Sequence, residues 1–539
     1  MERQHGRTFP PETLERQRCE SRAEAHKQVK NMLLTPEQMR QMEQEYMEKA
    51  GVPSIDLMER AAGALTEVLI ERFGTDKTIF FACGPGGNGG DGLAAARLYE
   101  AAGGRAAIVL AGEPKSADAA KNLRRAREAG VRELPARVGE DRPDVWVDAL
   151  FGTGLSRPLD ASAMFLVDRI NADHARAGSR VVAVDIPSGV SGLTGGVANR
   201  DFPGNCIRAD VTVTFQRPKA GHYLDFGLVA TGELVVVDIG ISEEYLPRQR
   251  TAYLYEAPAS FGGHSFPRNS HKGDRGHVLI VAGSMGMAGA AALCAGAALR
   301  SGAGLVTVAC PASIVPILQA LEPCAMCVPL PEKDGALSAE AAGPLGEVVR
   351  GKQSIAIGPG LSRRCAPQVL RAVLEPTQRE CDRPFVTVDA DALNLLAAHP
   401  ELQKLLNGQC LLTPHPGEAR RLLGREPAGL ISDARALAAL GARVVLKSAS
   451  RAVCTHPEGP VAISATGCSG MGKGGSGDVL TGMLAAMWRS DPACVCEIHG
   501  LAGVLAEEKY GNACMTARDI VQMLPEAFRR LQAKPEMAP

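Results

Sequence analysis

At 539 residues the chain exceeds what one ordinary hydrophobic core organises, so two or more domains are expected. Apolar content of 45% and charged content of 22% are those of a globular protein, and a net charge of -1 gives no electrostatic case for nucleic acid or an anionic membrane as partner. The fifteen cysteines are scattered, with a single CxxC (Cys324, Cys327) and no second pair at zinc spacing, a pattern that predicts reduced thiols in the cytoplasm rather than zinc or disulfides.

Residues 1–30 are polar and charged with no apolar h-region, so they are expected to form a disordered extension without a secretory signal. Thr35-Pro36-Glu37-Gln38 predicts a helix start, with Thr35 as cap and Pro36 at the first helical position. A second helix begins at Leu57-Met58-Glu59-Arg60-Ala61-Ala62. The apolar run Thr78 to Cys83 reads as a strand that ends in the glycine-rich stretch Gly84 to Gly92, before a helix expected over Leu93 to Ala102. Gly84, Gly86 and Gly89 satisfy G-x-G-x-x-G, a weak dinucleotide fingerprint when alone. With Glu113 as a ribose ligand, this makes an NAD-dependent dehydrogenase one alternative. The extra glycine and polar groups of Asn88-Gly89-Gly90-Asp91-Gly92 exceed what a pyrophosphate turn needs.

Ala106–Leu110, Val145–Ala149, Val181–Asp185, Val211–Phe215 and Leu234–Ile239 read as further buried strands of a parallel sheet with helices on both faces. Ligands of such sheets bind outside the C-terminal strand ends. Polar residues collect there: Asp148 before Gly152-Thr153-Gly154, and Asp185 before Ile186-Pro187-Ser188-Gly189. Each alone is more often a turn or cap residue. Together Asn88, Asp148 and Ser188 offer hard oxygen ligands that suit a cation.

Residues 241–268 lose periodicity and gather Pro, Gly and charge, and are expected to link two domains. A second α/β series follows. Val278–Leu299 holds no charge over 22 positions, but Gly283 to Gly289 breaks it into strand, turn and helix rather than a membrane span. Later strands end in Gly358-Pro359-Gly360, Asp389-Ala390-Asp391, Thr413-Pro414-His415-Pro416 and Lys447. Lys447 reads as a snorkelling strand end or as a phosphate counter-charge. Gly fills six of the eleven positions from Gly467 to Gly477, which feed a buried helix starting near Asp478. Unpaired N–H groups at such a helix start make an anion site, typically for phosphate. A carboxylate there, Asp478, suits a general base; a flexible linker with an Asp cap is the plainer alternative. A P-loop is rejected, because Gly474 stands where Ser or Thr holds magnesium.

Jointly these motifs make the chain similar to the bifunctional NAD(P)H-hydrate repair enzymes. The motifs that carry the resemblance are Leu57 to Ala61, Gly84 to Gly92, Val147 to Gly154, Val184 to Gly189 and Pro218-Lys219-Ala220-Gly221, then His271-Lys272-Gly273, Gly283 to Ala290, Gly358 to Leu361, Asp389 to Asn394, Thr413 to Glu418 and Gly474 to Asp478. The resemblance covers roughly Met32 to Leu531. It implies an α/β protein: an N-terminal Rossmann-like three-layer epimerase domain over 31–240, and a ribokinase-like α/β dehydratase domain over 269–535. The substrates would be the hydrates NADHX and NADPHX. Potassium would be held by Asn88, Asp148 and Ser188. The hydrate would meet Gly87, Asn88, Gly89, Gly90, Asp91, Gly152, Thr153, Gly154, Leu155, Ser156, Arg157, Pro158 and Asp185 in the first domain, and Ala290, Gly360, His415 and Asp478 in the second. ADP or ATP with Mg2+ would be held by Lys447, Ser448, Ala449, Ser450, Arg451 and Gly477. A homo-oligomer is also expected. Asp478 is then the expected dehydratase base, and Asp185 and Lys219 the acid–base candidates of the epimerase.

The sequence departs from the family pattern. Gly87 replaces the first Asn of Asn-Asn-Gly-Gly-Asp, Cys468-Ser469 stand where Asn-Pro is usual, Gly472-Lys473 stand where Ala-Thr or Ala-Ser is usual, and Ser448 replaces a Gly. Lys473 is expected to strengthen phosphate binding. Two alternatives follow from these motifs: a ribokinase-type small-molecule kinase, and a first domain that keeps its fold but no longer epimerises.

Overall fold

The computed structural model describes residues 31–135, 141–155, 158–197, 206–257 and 266–532; the expected extension 1–30 lies outside them. The first sheet has seven strands in the spatial order Arg132–Leu134, Arg105–Leu110, Thr78–Cys83, Val145–Ala149, Arg180–Val184, Val211–Phe215, Glu233–Val237. Every pair is parallel. Parallel strands need crossovers that cover both faces, which is why their sequences are apolar throughout rather than alternating. Ile79, Phe81, Val145 and Val147 pack towards the helices Pro36–Ala50, Ser54–Phe73 and Gly87–Ala101. Phe80, Ala82 and Trp146 face Leu166, Val167 and Ile170 of the helix Ala161–Ala177. The strand order reverses between Thr78–Cys83 and Val145–Ala149, so the crevice opens beyond Cys83 and Ala149. The Rossmann-like three-layer expectation holds.

The second sheet has eleven strands. Seven are mutually parallel: Met326–Leu330, Leu305–Pro311, His277–Val281, Ser354–Ile357, Phe385–Val388, Cys410–Leu412 and Arg443–Lys447. Arg451–Cys454 and Val461–Ser464 continue it antiparallel. One face carries Pro367–Leu374, Ala390–Ala398, Pro416–Leu423 and Leu430–Ala438. The other carries Ala288–Arg300, Ser476–Ala486, Pro492–Tyr510 and Ala517–Gln532. The uncharged run Val278–Leu299 is a strand end, a turn and a helix, and among the described residues no helix is long and apolar enough to cross a membrane.

The far edge of this sheet departs from the sequence expectation. Ala252–Leu254, inside the segment 241–268 expected as linker, pairs parallel with Val461–Ser464 and antiparallel with Met32–Leu33. The chain on both sides of the first domain thus belongs to the sheet of the second. Two-residue alternation divides the work: Leu33 is buried in the second core, Met32 and Leu34 in the first. Residues 220–224 follow them, since Ala220 and Leu224 also pack into the second core.

The glycine-rich stretch also differs. The helix starts at Gly87, not Leu93, so most of its glycines are helical. A Cβ on Gly89 would fall 1.8 Å from the Gly84 carbonyl oxygen, and one on Gly92 would fall 2.4 Å from Ala149 Cβ. These glycines let the first helical turn press on the strand ends, which matters more here than flexibility.

Two candidate active sites

The first site is a cavity of about 510 Å³ at the strand-order reversal, lined by Gly87, Asn88, Asp91, Gly152, Thr153, Gly154, Leu155 and Asp185, with Glu43 and Lys115. Gly89 and Gly90 are buried behind it, Pro158 lines a neighbouring cavity, and Ser156 and Arg157 lie outside the described residues. Asp148 is fully buried. Its Oδ1 accepts from Ser188 Oγ (2.6 Å) and Leu150 N (3.2 Å), and its Oδ2 from Ser188 N (2.8 Å). Burial pushes its carboxyl up to about 6 against those bonds. Asn88 lies against the same loop, since a Cβ on Gly152 would sit 3.1 Å from Asn88 Oδ1. The Asn88 Nδ2 is buried without a hydrogen-bond partner.

Asp185 ends its strand at φ 65, the left-handed region that a non-glycine residue enters at a cost of roughly 1–3 kcal/mol. The surroundings over-determine it. Its N–H donates to Val213 O (2.8 Å), His222 Nε2 lies 2.8 Å from its carbonyl oxygen, and its Oδ1 accepts from Lys219 Nζ (2.5 Å) and Thr214 Oγ1 (3.0 Å). Burial raises the Asp185 carboxyl, but the Lys219 charge and hydrogen bond prevail and hold it below the usual range. Burial drives His222 down to about 4, so it is neutral. Lys219 differs from expectation. It is wholly buried, and its three ammonium protons go to Asp185, Thr214 Oγ1 (2.9 Å) and Phe215 O (3.2 Å), leaving none for a substrate.

The second site gathers strand ends around the helix Ser476–Ala486. Gly475 precedes it at φ 97, where a Cβ would meet Leu293 and Ala517 within 2.8 Å, so the turn is closed to other residues. Asp478 lies in the first turn; burial and the charge of Asp389 push its carboxyl up to about 7 against the pull of Lys447. Asp389, buried, accepts from Lys447 Nζ (2.6 Å) and Thr481 Oγ1 (2.6 Å). A Cβ on Gly477 would lie 3.2 Å from Lys447 Nζ, so the lysine crosses the helix start. His415 caps Pro416–Leu423, its Nδ1 accepting from Gly417 N (2.9 Å), while Glu418 accepts from His415 N (2.9 Å). Burial and the nearby Lys447 lower the His415 imidazole; burial raises Glu418 to about 7. Ala290 and Gly360 adjoin, a Cβ on Gly360 being 3.0 Å from Ala290 Cβ.

Ser448 and Ala449 are exposed at the loop after Lys447, Ser450 is buried, and Arg451 turns inward to Thr466 O and Met471 Sδ (3.7 Å). Lys473 does not approach this site as expected: its Nζ donates to Ala513 O (2.6 Å) and Met515 O (2.7 Å). Asp389 and Glu418 lie in motifs the sequence reading named but have no site role there, although Asp389 closes a strand just as Asp148 and Asp185 do and Glu418 sits three residues after its cap. Glu43 was not named and carries no local signal.

A Rossmann-like crevice with a held carboxylate, followed by a second α/β unit with a phosphate-ready helix start, defines a two-site α/β enzyme. A sequence profile described as NAD(P)H-hydrate dehydratase matches residues 278–526, and one described as YjeF-related protein N-terminus matches residues 54–221. The chain is 37% identical to the bifunctional NAD(P)H-hydrate repair enzyme of Moorella thermoacetica over 94% of this chain and 98% of that protein. It is 34% identical to the same enzyme of Escherichia coli, over 90% and 92%. The ADP/ATP-dependent NAD(P)H-hydrate dehydratase of Bacillus subtilis, crystallised with ATP and Mg2+, aligns at 26% identity over 50% of this chain and 94% of that one, with a TM-score of 0.40. The chain belongs to the bifunctional NAD(P)H-hydrate repair enzymes.

Proposed function

We propose that the chain restores hydrated NADH and NADPH: the first domain interconverts R and S hydrates, and the second dehydrates the S form with ADP or ATP. The observation that carries the dehydratase reading is Asp478, a carboxyl raised to about 7 in the first turn of a helix beside the Lys447–Asp389 pair. Hydroxide is a poor leaving group, so the hydrate hydroxyl must be activated. Asp478 takes its proton as the oxygen attacks the terminal phosphorus, which breaks the bond to the nucleotide and releases AMP from ADP or ADP from ATP. The ring nitrogen's electron pair then expels phosphate, and the adjacent carbon loses a proton to restore the double bond. The N–H groups at Ser476–Gly477 face the charge that develops on the phosphoryl group. Lys447, oriented by Asp389, supplies positive charge beside Gly477. Mg2+ would accompany the nucleotide and neutralise phosphate charge.

In the first domain, Asn88, Asp148 and Ser188 fit a hard monovalent cation such as potassium. They present oxygens, with Asn88 Oδ1 turned to the Gly152 loop. The ion would fix the loop Gly152–Leu155 against the hydrate. Asp185, held ionised by Lys219, is the fixed charge that orients the substrate, and Lys219 acts as a positioning residue. The division into an epimerase domain and a dehydratase domain is drawn near residue 240, with Ala252–Leu254 given to the second.

Gly87 tests the family departure. No described atom lies within 4 Å of a Cβ placed there, so Gly87→Asn meets no clash at its Cβ. Its added amide is expected to lower the KM of the epimerase about 3- to 10-fold, the worth of one hydrogen bond, with dehydratase kinetics unchanged. The whole reading is tested by recovery of reduced-nicotinamide absorbance from an R and S mixture with ADP, with ATP and with neither. Full nucleotide-dependent recovery is expected. Recovery that stops at the S fraction would remove the epimerase, and none at all would return the kinase alternative.

A further inference from the structure

We propose that Glu43, on the helix Pro36–Ala50, carries the proton that moves when the first site inverts its substrate. This deepens the epimerase reading and rests on it. Glu43 lines the same cavity as Asp185 and the Gly152–Leu155 loop. Its helix lies before residue 54, where the family profile begins, so the motif-bearing loops do not reveal it.

The ionisable groups on and behind the Asp185 wall of the cavity are constrained by their neighbours. Asp185 is locked ionised by Lys219, and Lys219 has spent its protons. Asp91 carries a carboxyl held well above the usual range by burial and by the charges of Asp185 and Glu43. Glu43 lies between these extremes. Burial raises it to about 7, Lys219 pulls it down and Asp185 pushes it up, and no hydrogen bond contributes to its shift. Lys115 and Asp118 also line the cavity. A carboxyl that is half ionised near neutrality and hydrogen-bonded to no described residue can accept and return a proton.

The chemistry needs such a group. Water added to an enamine leaves its hydroxyl on the carbon next to the ring nitrogen. Glu43 removes the hydroxyl proton, a C=O bond forms, and the C–N bond opens with its electron pair moving to nitrogen. The same proton is then delivered to that nitrogen. Rotation about the adjoining C–C bond presents the other face of the aldehyde, and the reverse steps close the ring. Atoms and electrons balance, no redox partner is needed, and one carboxyl serves both directions.

The test uses the full chain carrying Glu43→Gln, given an R and S mixture with ADP over a time short against spontaneous inversion. The S fraction reports the dehydratase, and should be consumed at the wild-type rate, showing an intact fold and nucleotide site. The R fraction should then convert at least about 100-fold more slowly. Glu43→Asp should restore part of that rate and shift the inflection near pH 7 that is expected in the wild-type epimerase kcat/KM. An R fraction converted by Glu43→Gln at the wild-type rate overturns the proposal. So does slow conversion whose pH profile keeps the wild-type inflection, because a purely structural role would leave that inflection in place. Absence of R conversion in the wild type would instead sink the epimerase reading itself, and Glu43 with it.

Discussion

Replacing Asp478 by Asn is expected to lower nucleotide-dependent dehydration by about 10³-fold or more, the scale of a general base removed from the transition state, while leaving nucleotide affinity within a few-fold. The amide keeps the shape of the carboxyl at the first turn but cannot take the hydroxyl proton. Stability moves the other way. Asp478 is raised from 3.8 to about 7 by burial and Asp389. Its folded form therefore binds a proton more tightly than its unfolded form, and that contribution is complete below about pH 4 and lost as pH rises through 7. The Asn variant has no such loss, so it should exceed the wild type in stability at pH 8, by at most about 4 kcal/mol, and match it near pH 4. Wild-type dehydratase kcat/KM should rise with pH through about 7 as the base ionises. Isothermal titration with ADP, steady-state rates and melting curves across pH read these separately; retained turnover in the Asn variant would remove Asp478 from the role.

Lys219→Met is the second large effect. Lys219 is fully buried and balances Asp185, whose side chain is 13% exposed. Removing one partner of a buried pair strands the other charge and costs about 3–5 kcal/mol, seen as a lower urea midpoint. The Asp185 carboxyl would lose what holds it low and titrate upward, so epimerisation should fall sharply at neutral pH and recover in part at higher pH. Asp185→Asn combined with Lys219→Met removes both charges and should regain much of the stability without regaining activity. If Lys219→Met alone keeps wild-type stability and R conversion, the pair is neither structural nor functional.

Much of this was legible in the chain because parallel α/β architecture writes itself locally. Buried strands such as Val145–Ala149 and Ser354–Ile357 are short apolar runs bounded by turn residues, and they occupy the expected positions. Thr35 caps its helix, with Gln38 returning the bond. Since ligands sit at C-terminal strand ends, residues closing strands were natural site candidates, and Asp148, Asp185, His415 and Lys447 lie at such ends in the two candidate sites, with Asp478 in the first turn of a helix. Very short strands, such as Met32–Leu33 and Ala252–Leu254, escaped, because two or three residues cannot show a period. Their pairing depends on a partner far along the chain. Glycine was misread for a related reason: what a missing Cβ avoids, Gly84 O or Ala149 Cβ, is set by packing and not by neighbours in sequence.

The sequence by itself therefore determined the two α/β series, their order, the glycine-rich helix start near Asp478 and the residue types at each strand end. These follow from local hydrophobic runs, turn chemistry and capping. Only the tertiary structure decided the charge state of those groups. Lys219 became a buried counter-ion, Lys473 was drawn off to the carbonyls of Ala513 and Met515, and Glu43 entered a cavity built by distant loops. Burial and long-range Coulomb terms arise from chain segments that meet only after folding, so no local pattern encodes them.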